Sequence, residues 1–188
     1  MMPMPTRPKL DGSALGGLQL HIQRLSLPDV PVIDRIAFSG GEAKYDESAM
    51  AIDTTTPYQV TAEITEADLC AFVRTKMPDR MRLRDLRITP SGIEFTAEAV
   101  IIVPIPIRLL LRLEAVDGNE LRVVADDVNV LGAGPKNMVQ NQLSQLNPLL
   151  RTSDLPVPVK FDSAEHGDAK VIIKGSVGTR ISLQEITS

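Results

Sequence analysis

The most regular feature of the chain is an alternation of apolar and polar positions between residues 93 and 113. Ile93, Phe95, Ala97, Ala99, Ile101, Val103, Ile105, Ile107, Leu109, Leu111 and Leu113 fill the odd positions, while Glu94, Thr96, Glu98, Arg108 and Arg112 stand among the even ones. Successive side chains of a β-strand point to opposite faces, so a period of two marks a strand with one face buried. Fully extended, the stretch would reach about 70 Å, several times the length of an ordinary strand of ~5–6 residues. It is either one very long bent strand or two strands in phase. Val103-Pro104-Ile105-Pro106-Ile107 lies in its middle. Prolines two apart remove backbone donors along one strand edge, so this part is expected to be unpaired on one side or kinked. The similar phrase Leu155-Pro156-Val157-Pro158-Val159 reads as the same device, used where strands bend around a curved core.

Shorter patterns flank the long one. Leu18, Leu20 and Ile22 face one way and Gln19, His21 and Gln23 the other, which predicts a half-buried strand. The apolar phase flips at Leu25 and Leu27, as at a bulge. Pro28, Asp29 and Pro31 mark a turn. Residues 32–38 and 43–52 read as strands around Gly40-Gly41, and residues 57–64 as another. Thr65-Glu66-Ala67-Asp68 then opens a helix, with Thr65 as N-cap and acids in the first turn. Leu69, Phe72, Val73 and Met77 recur at helical spacing until Pro78 stops it.

Beyond the long alternation, Asp117-Gly118-Asn119 signals a turn. Residues 120–130 return as a strand with Leu121, Val123 and Ala125 on one face. Val128 and Val130 restart the alternation, which makes Asp127 a bulge residue. Gly132-Ala133-Gly134-Pro135 opens a second helix with proline at its first position. Val139, Leu143, Leu146 and Leu150 form its stripe, and Pro148 kinks or ends it. Residues 156–164, 169–177 and 180–186 read as closing strands, with His166-Gly167-Asp168 as a turn between the first two. Clustered strands joined by tight turns, with two helices between clusters, predict an α+β domain around a mainly antiparallel sheet.

Composition narrows this picture. The 188 residues fit one domain, read as a loose tail over 1–13 and a single domain over 14–188. Aromatics are 3% and there is no Trp, so the interior must be aliphatic. Twenty basic against 24 acidic residues leave a net charge of −4, which argues against a general nucleic-acid binder. The lone Cys70 rules out an internal disulfide framework and reads as a small core residue. Neither a signal-peptide core nor an ~18-residue apolar span stands out. As written, the chain is expected in the cytoplasm or peripheral to a membrane, and in the periplasm if its true start lies upstream.

Candidate chemistry is sparse. There is no Gly-x-Ser-x-Gly elbow and no His-Glu-x-x-His. His21 and His166 are expected at the surface, and Asp126 and Asp127 point to opposite strand faces. Gly132-Ala133-Gly134-Pro135-Lys136 lacks both the third glycine of a dinucleotide motif and the Lys-Ser/Thr of a P-loop. No catalytic residue, metal or cofactor is expected. Arg74, Lys76, Arg80, Arg82, Arg84 and Arg87 form a basic run broken by Asp79 and Asp85. It is either a solvated face or a docking patch for an anionic membrane, with Arg80, Arg82, Arg84 and Arg87 at its centre; near such a surface each base contributes about 1 kcal/mol.

The run Val60-Thr61-Ala62-Glu63-Ile64-Thr65-Glu66-Ala67-Asp68-Leu69, extended through Met77, resembles the strand and Thr-x-x-Asp-Leu helix start of the bacterial LmeA-like phospholipid-binding family. The likeness continues through Leu83-Arg84-Asp85-Leu86-Arg87-Ile88, Gly92, Pro104-Ile105-Pro106-Ile107 and Leu155-Pro156-Val157-Pro158-Val159, covering roughly residues 55–178. That family is similar to the tubular lipid-binding domains. The resemblance implies a strongly curved, mainly antiparallel sheet wrapped around one long helix, with a shorter helix beside it. It also implies non-catalytic binding, or transfer, of phospholipid or another hydrophobic ligand in an apolar cavity. By strand and helix phase, Ile101, Val103, Ile105, Ile107, Leu109, Leu111, Val139, Leu143 and Leu146 would line that cavity. The same residues would equally fill a solid core, leaving an interaction module that docks on protein or membrane through the basic patch. A cavity of several hundred Å³ would separate the two. Oligomeric state stays open.

Overall fold

In the computed structural model, which describes residues 14–15, 19–100, 103–130, 133–155 and 159–182, six strands precede the first helix. They are β1 (Ala14–Leu15), β2 (Gln19–Leu25), β3 (Ile33–Ser39), β4 (Ala43–Asp46), β5 (Ala51–Thr54) and β6 (Tyr58–Thr65). Helix α1 (Glu66–Lys76) is followed by β7 (Met81–Thr89), β8 (Gly92–Val100), β9 (Pro104–Val116) and β10 (Glu120–Val130). Helix α2 (Ala133–Leu146), the short β11 (Leu150–Arg151), β12 (Val159–Gly167), β13 (Lys170–Val177) and β14 (Arg180–Ser182) complete the order.

The strands form two five-stranded sheets, β11-β10-β9-β8-β7 and β12-β13-β6-β3-β2, and a small one, β1-β4-β5-β14. Every pairing among the described residues is antiparallel. The main sheet curls strongly into a half-barrel, and the helices are short. The α+β, curved-sheet expectation therefore describes the molecule. The helix expected to be long is the longer of the two, but its 14 residues span only about 21 Å.

The long alternation is two strands in phase. β8 and β9 form a hairpin whose register runs from Val100↔Pro104 to Ile93↔Leu111. Pairing odd with odd keeps one apolar face, and Ile93, Ala97, Ala99, Ile107 and Leu113 are all buried on it. Pro104 and Pro106 pair toward β8, while the β10 ladder stops at Ile107, opposite Val130. The proline stretch is thus unpaired on one side among the described residues. Its later counterpart, Pro156-Val157-Pro158, lies outside them, as do the 1–13 tail and Gly132.

Three strands each carry one extra residue. The register shifts at Leu83/Asp85 in β7, Ala125/Asp127 in β10 and Phe161/Ser163 in β12. The unpaired residues are Arg84, Asp126 and Asp162, all charged and exposed. At each site the inward positions switch parity: Met81 and Leu83 give way to Leu86 and Ile88, Val123 and Ala125 to Val128, and Phe161 to Ala164. A bulge lets a strand change phase without turning its apolar face to water. The bulge expected at Asp127 is real, and its extra residue is the neighbouring Asp126.

Other expectations shift for local reasons. The span 43–52 breaks into β4 and β5, because the Asp46 carboxylate accepts from the Ser48 and Ala49 backbone N–H groups at 3.1 and 3.2 Å and closes a turn. No bulge occurs near Leu25: Gln23↔Arg35 and Leu25↔Ile33 stay in register, and Arg24 takes a left-handed φ of 56° instead. Pro135 is the third residue of α2, still within the first turn, where its missing N–H costs no helical bond. His166 lies inside β12, and the turn follows at Ala169, with φ 59°.

One apolar cluster joins both five-stranded sheets and both helices, and no buried residue among those described is polar or charged by type except Tyr58. Each fully buried Leu, Ile or Val contributes roughly 1.5–3 kcal/mol, so packing holds the sheets together. A few backbone groups stitch the seam. Phe161 N–H donates to the Gly118 carbonyl at 2.8 Å, and Ala169 N–H to the Ile88 carbonyl at 3.0 Å.

Candidate functional site

Both helices turn an apolar stripe onto the same face of the β7–β10 sheet. In α1, Thr65 Oγ1 accepts from the Asp68 N–H at 3.2 Å and donates to Asp68 Oδ2 at 2.6 Å, fixing the N-terminus. That orientation buries Leu69 and half-buries Phe72, Val73 and Met77. In α2, Val139 is 2% exposed, and Leu143 and Leu146 are half-buried at helical spacing below it. The facing sheet offers Ile93, Phe95, Leu109, Leu111, Leu113 and Val123.

The space between them is a cavity of about 70 Å³ with an almost wholly apolar lining. Among the described residues, Lys76 is its one charged lining residue. Its ammonium pairs with Asp29 at 2.5 Å and sits 5.8 Å from the Phe72 ring centre. The Lys76 hydrogen bond and charge hold the Asp29 carboxyl below its usual range. Water occupies ~30 Å³ per molecule in the liquid, and ligand pockets run to ~300–1,000 Å³. The arrangement described is therefore closed down. A wider depression of about 300 Å³ lies across α1, but it is open and carries Asp29, Asp68 and Lys76.

The proposed lining residues fall into distinct places. Leu109, Leu111, Val139, Leu143 and Leu146 border the cavity. Ile107 is fully buried and Ile105 half-buried in the adjoining core. Val103 lies in the β8–β9 connection and is 67% exposed, because the hairpin turns there and strand phase no longer aims the side chain inward. Ile101 lies outside the described residues. Phe95 and Leu113, inward positions of the same alternating run, border the cavity too, and so does the α1 stripe, whose helical spacing is legible in the sequence but whose place beside this cavity is not.

The basic run divides. Arg80, Arg82, Arg84 and Arg87 are all exposed, but Arg84 pairs with Glu98 at 2.6 Å and Arg87 with Asp85 at 3.0 Å. Neither Arg80 nor Arg82 forms an ion pair among the described residues. His166 is half-buried in the seam between sheets, a correction to its expected surface place. Its Nε2 accepts from the Leu113 N–H at 3.2 Å. Burial, and then the Arg112 charge, push its pKa below 6.5, against an opposing effect of Asp126. His21 is exposed and Cys70 half-buried against the core.

Among the described residues, no group of three or more His, Cys, Asp or Glu is placed to hold a metal ion, and no helix is long and apolar enough to cross a membrane. A family model described as LmeA-like phospholipid-binding matches residues 11–176. No curated protein and no solved structure matches the chain.

Proposed function

The chain belongs to the LmeA-like phospholipid-binding family, and from that premise we propose that it takes up the acyl chains of a phospholipid between α1, α2 and the β7–β10 sheet, without catalysis. The observation that carries this reading is the convergence of two helical stripes and one sheet face on an apolar space with Lys76 as its one charged lining residue among those described. Exposing a 16-carbon acyl chain to water costs about 12 kcal/mol, at ~0.8 kcal/mol per methylene. An aliphatic lining recovers that cost without demanding a particular ligand geometry.

The cavity of about 70 Å³ is too small for such a chain, so uptake requires a helix to move off the sheet. The same small volume favours the second reading, a filled core that works as an interaction module. Native mass spectrometry of protein purified under mild conditions, followed by solvent extraction, separates them. A stoichiometric phospholipid, lost in Leu143→Arg with the circular dichroism spectrum unchanged, is the expected result. A wild-type protein that carries no lipid and ignores added phospholipid would overturn uptake and leave the filled-core module.

A further inference from the structure

The end of the molecule opposite the Asp117–Asn119 turn gathers features that uptake does not use. Val103 is 67% exposed, more than any other large apolar side chain among the described residues; Met50 follows at 46%. Pro104 and Pro106 stand exposed beside it, and neither has an N–H. The rest of the connection is, by sequence, two isoleucines.

Arg80 is held at the same end by its backbone, whose carbonyl accepts from the Val100 N–H at 2.7 Å. Arg82 pairs across the strands with Glu98, and Glu98 with Pro106. The Glu98 carboxyl lies below its usual range, chiefly through the Arg84 hydrogen bond and against some desolvation, with smaller effects of the Arg84 and Arg82 charges. Arg108 lies two rungs past Pro106, opposite Thr96 and Asn129. Arg80, Arg82, Arg84 and Arg108 thus outnumber Asp79, Asp85 and Glu98 at this end of a chain whose net charge is −4.

We infer that this hairpin end docks on an anionic phospholipid bilayer, with Val103 entering the interface and Arg80 and Arg82 lying against the headgroup phosphates. Apolar tips flanked by bases bind such surfaces through both contributions. The prolines suit the location, because a strand edge entering the interface strands fewer backbone donors when those donors are absent. Docking does not require a lipid to enter the interior, so it stands apart from the uptake reading.

The chain has no Trp, so Val103→Trp supplies a single indole reporter. Its emission is expected to shift to the blue with vesicles of mixed phosphatidylglycerol and phosphatidylcholine, and to be quenched by brominated acyl chains. Pure phosphatidylcholine should give little response. Adding Arg80→Gln and Arg82→Gln is expected to weaken vesicle binding roughly 30-fold, and salt should weaken it further. The shift should persist in a Leu143→Arg background. Emission that ignores the anionic vesicles, or a response undiminished by the arginine changes, would overturn docking. So would a response lost in the folded Leu143→Arg background, which would assign the signal to lipid uptake.

Discussion

Helices α1 and α2 press similar apolar stripes on the same sheet face, yet they are fastened differently. Polar groups tie α1 at both ends. At its start Thr65 caps it, Glu66 N–H donates to the Ala169 carbonyl at 2.8 Å, and the Glu66 carboxylate accepts from the Ile88 N–H at 2.8 Å. Asp68 pairs with Arg24 at 3.2 Å, and at the far end Lys76 pairs with Asp29. In α2, the ties among the described residues gather just past the C-terminal end. The Asn147 side chain accepts from the Val123 N–H at 2.7 Å and donates to the Val123 carbonyl at 2.8 Å. Apolar burial decides where each helix lies, while polar ties decide whether it can leave. Among the described residues α1 is thus held at both ends and α2 at one, so under the proposed uptake α2 is the element expected to move, about Asn147, with α1 as the fixed wall.

The sharpest way to break that contrast is to loosen the wall. Leu69→Ala should cost about 3 kcal/mol and, at ~2–4 °C per kcal/mol for a domain of this size, lower the melting temperature by roughly 6–12 °C. A calorimetric loss under about 1 kcal/mol would show that α1 is no part of the cooperative unit. Next in size is Asn147→Ala, which strands both Val123 backbone groups at about 1–3 kcal/mol. Hydrogen exchange should quicken across α2 and much less in α1; equal acceleration in both helices would erase the distinction. Thr65→Ala removes the α1 cap at ~1 kcal/mol and should quicken exchange in the first turn of α1 alone.

The smallest effect lies at the seam and spares both helices. Leu113 N–H donates into His166 Nε2, which only a neutral imidazole accepts. Because the folded pKa lies below the ordinary 6.5, this contribution is complete above the unfolded value and is lost as pH falls through the folded one. Urea midpoints should drop slightly between about pH 7 and pH 5, and His166→Gln should flatten that part of the profile. Identical profiles for the two proteins would mean the bond is open in solution.

Legibility in the sequence followed the range of the interactions. The α1 cap, the Asp117-Gly118 turn and the alternating strands are set by neighbouring residues, and all were readable. The split of 93–113 into two strands was left open, because an in-phase hairpin and one long strand write the same pattern. His166 was misplaced because its partner, Leu113, lies 53 positions away, beyond any local period. The apolar stripe of α1 was plain, but the cavity it shares with Phe95 and Leu113 depends on sheet order. The basic run and the Asp79 and Asp85 that break it are plain in the sequence, but the pairing of Arg84 with Glu98 on the next strand is not, because it depends on the β7–β8 register.

The three bulges constrain how this chain can change length. In β7, β10 and β12 a single extra charged residue reconciles two apolar phases. Losing one residue elsewhere in these strands would put the following segment on the wrong face, whereas losing two would preserve parity. Loss of Arg84, Asp126 or Asp162 itself would restore a regular ladder but turn the far half of the strand inside out. Within these hairpins, tolerated insertions and deletions should come in pairs, and single-residue changes should collect in the turns.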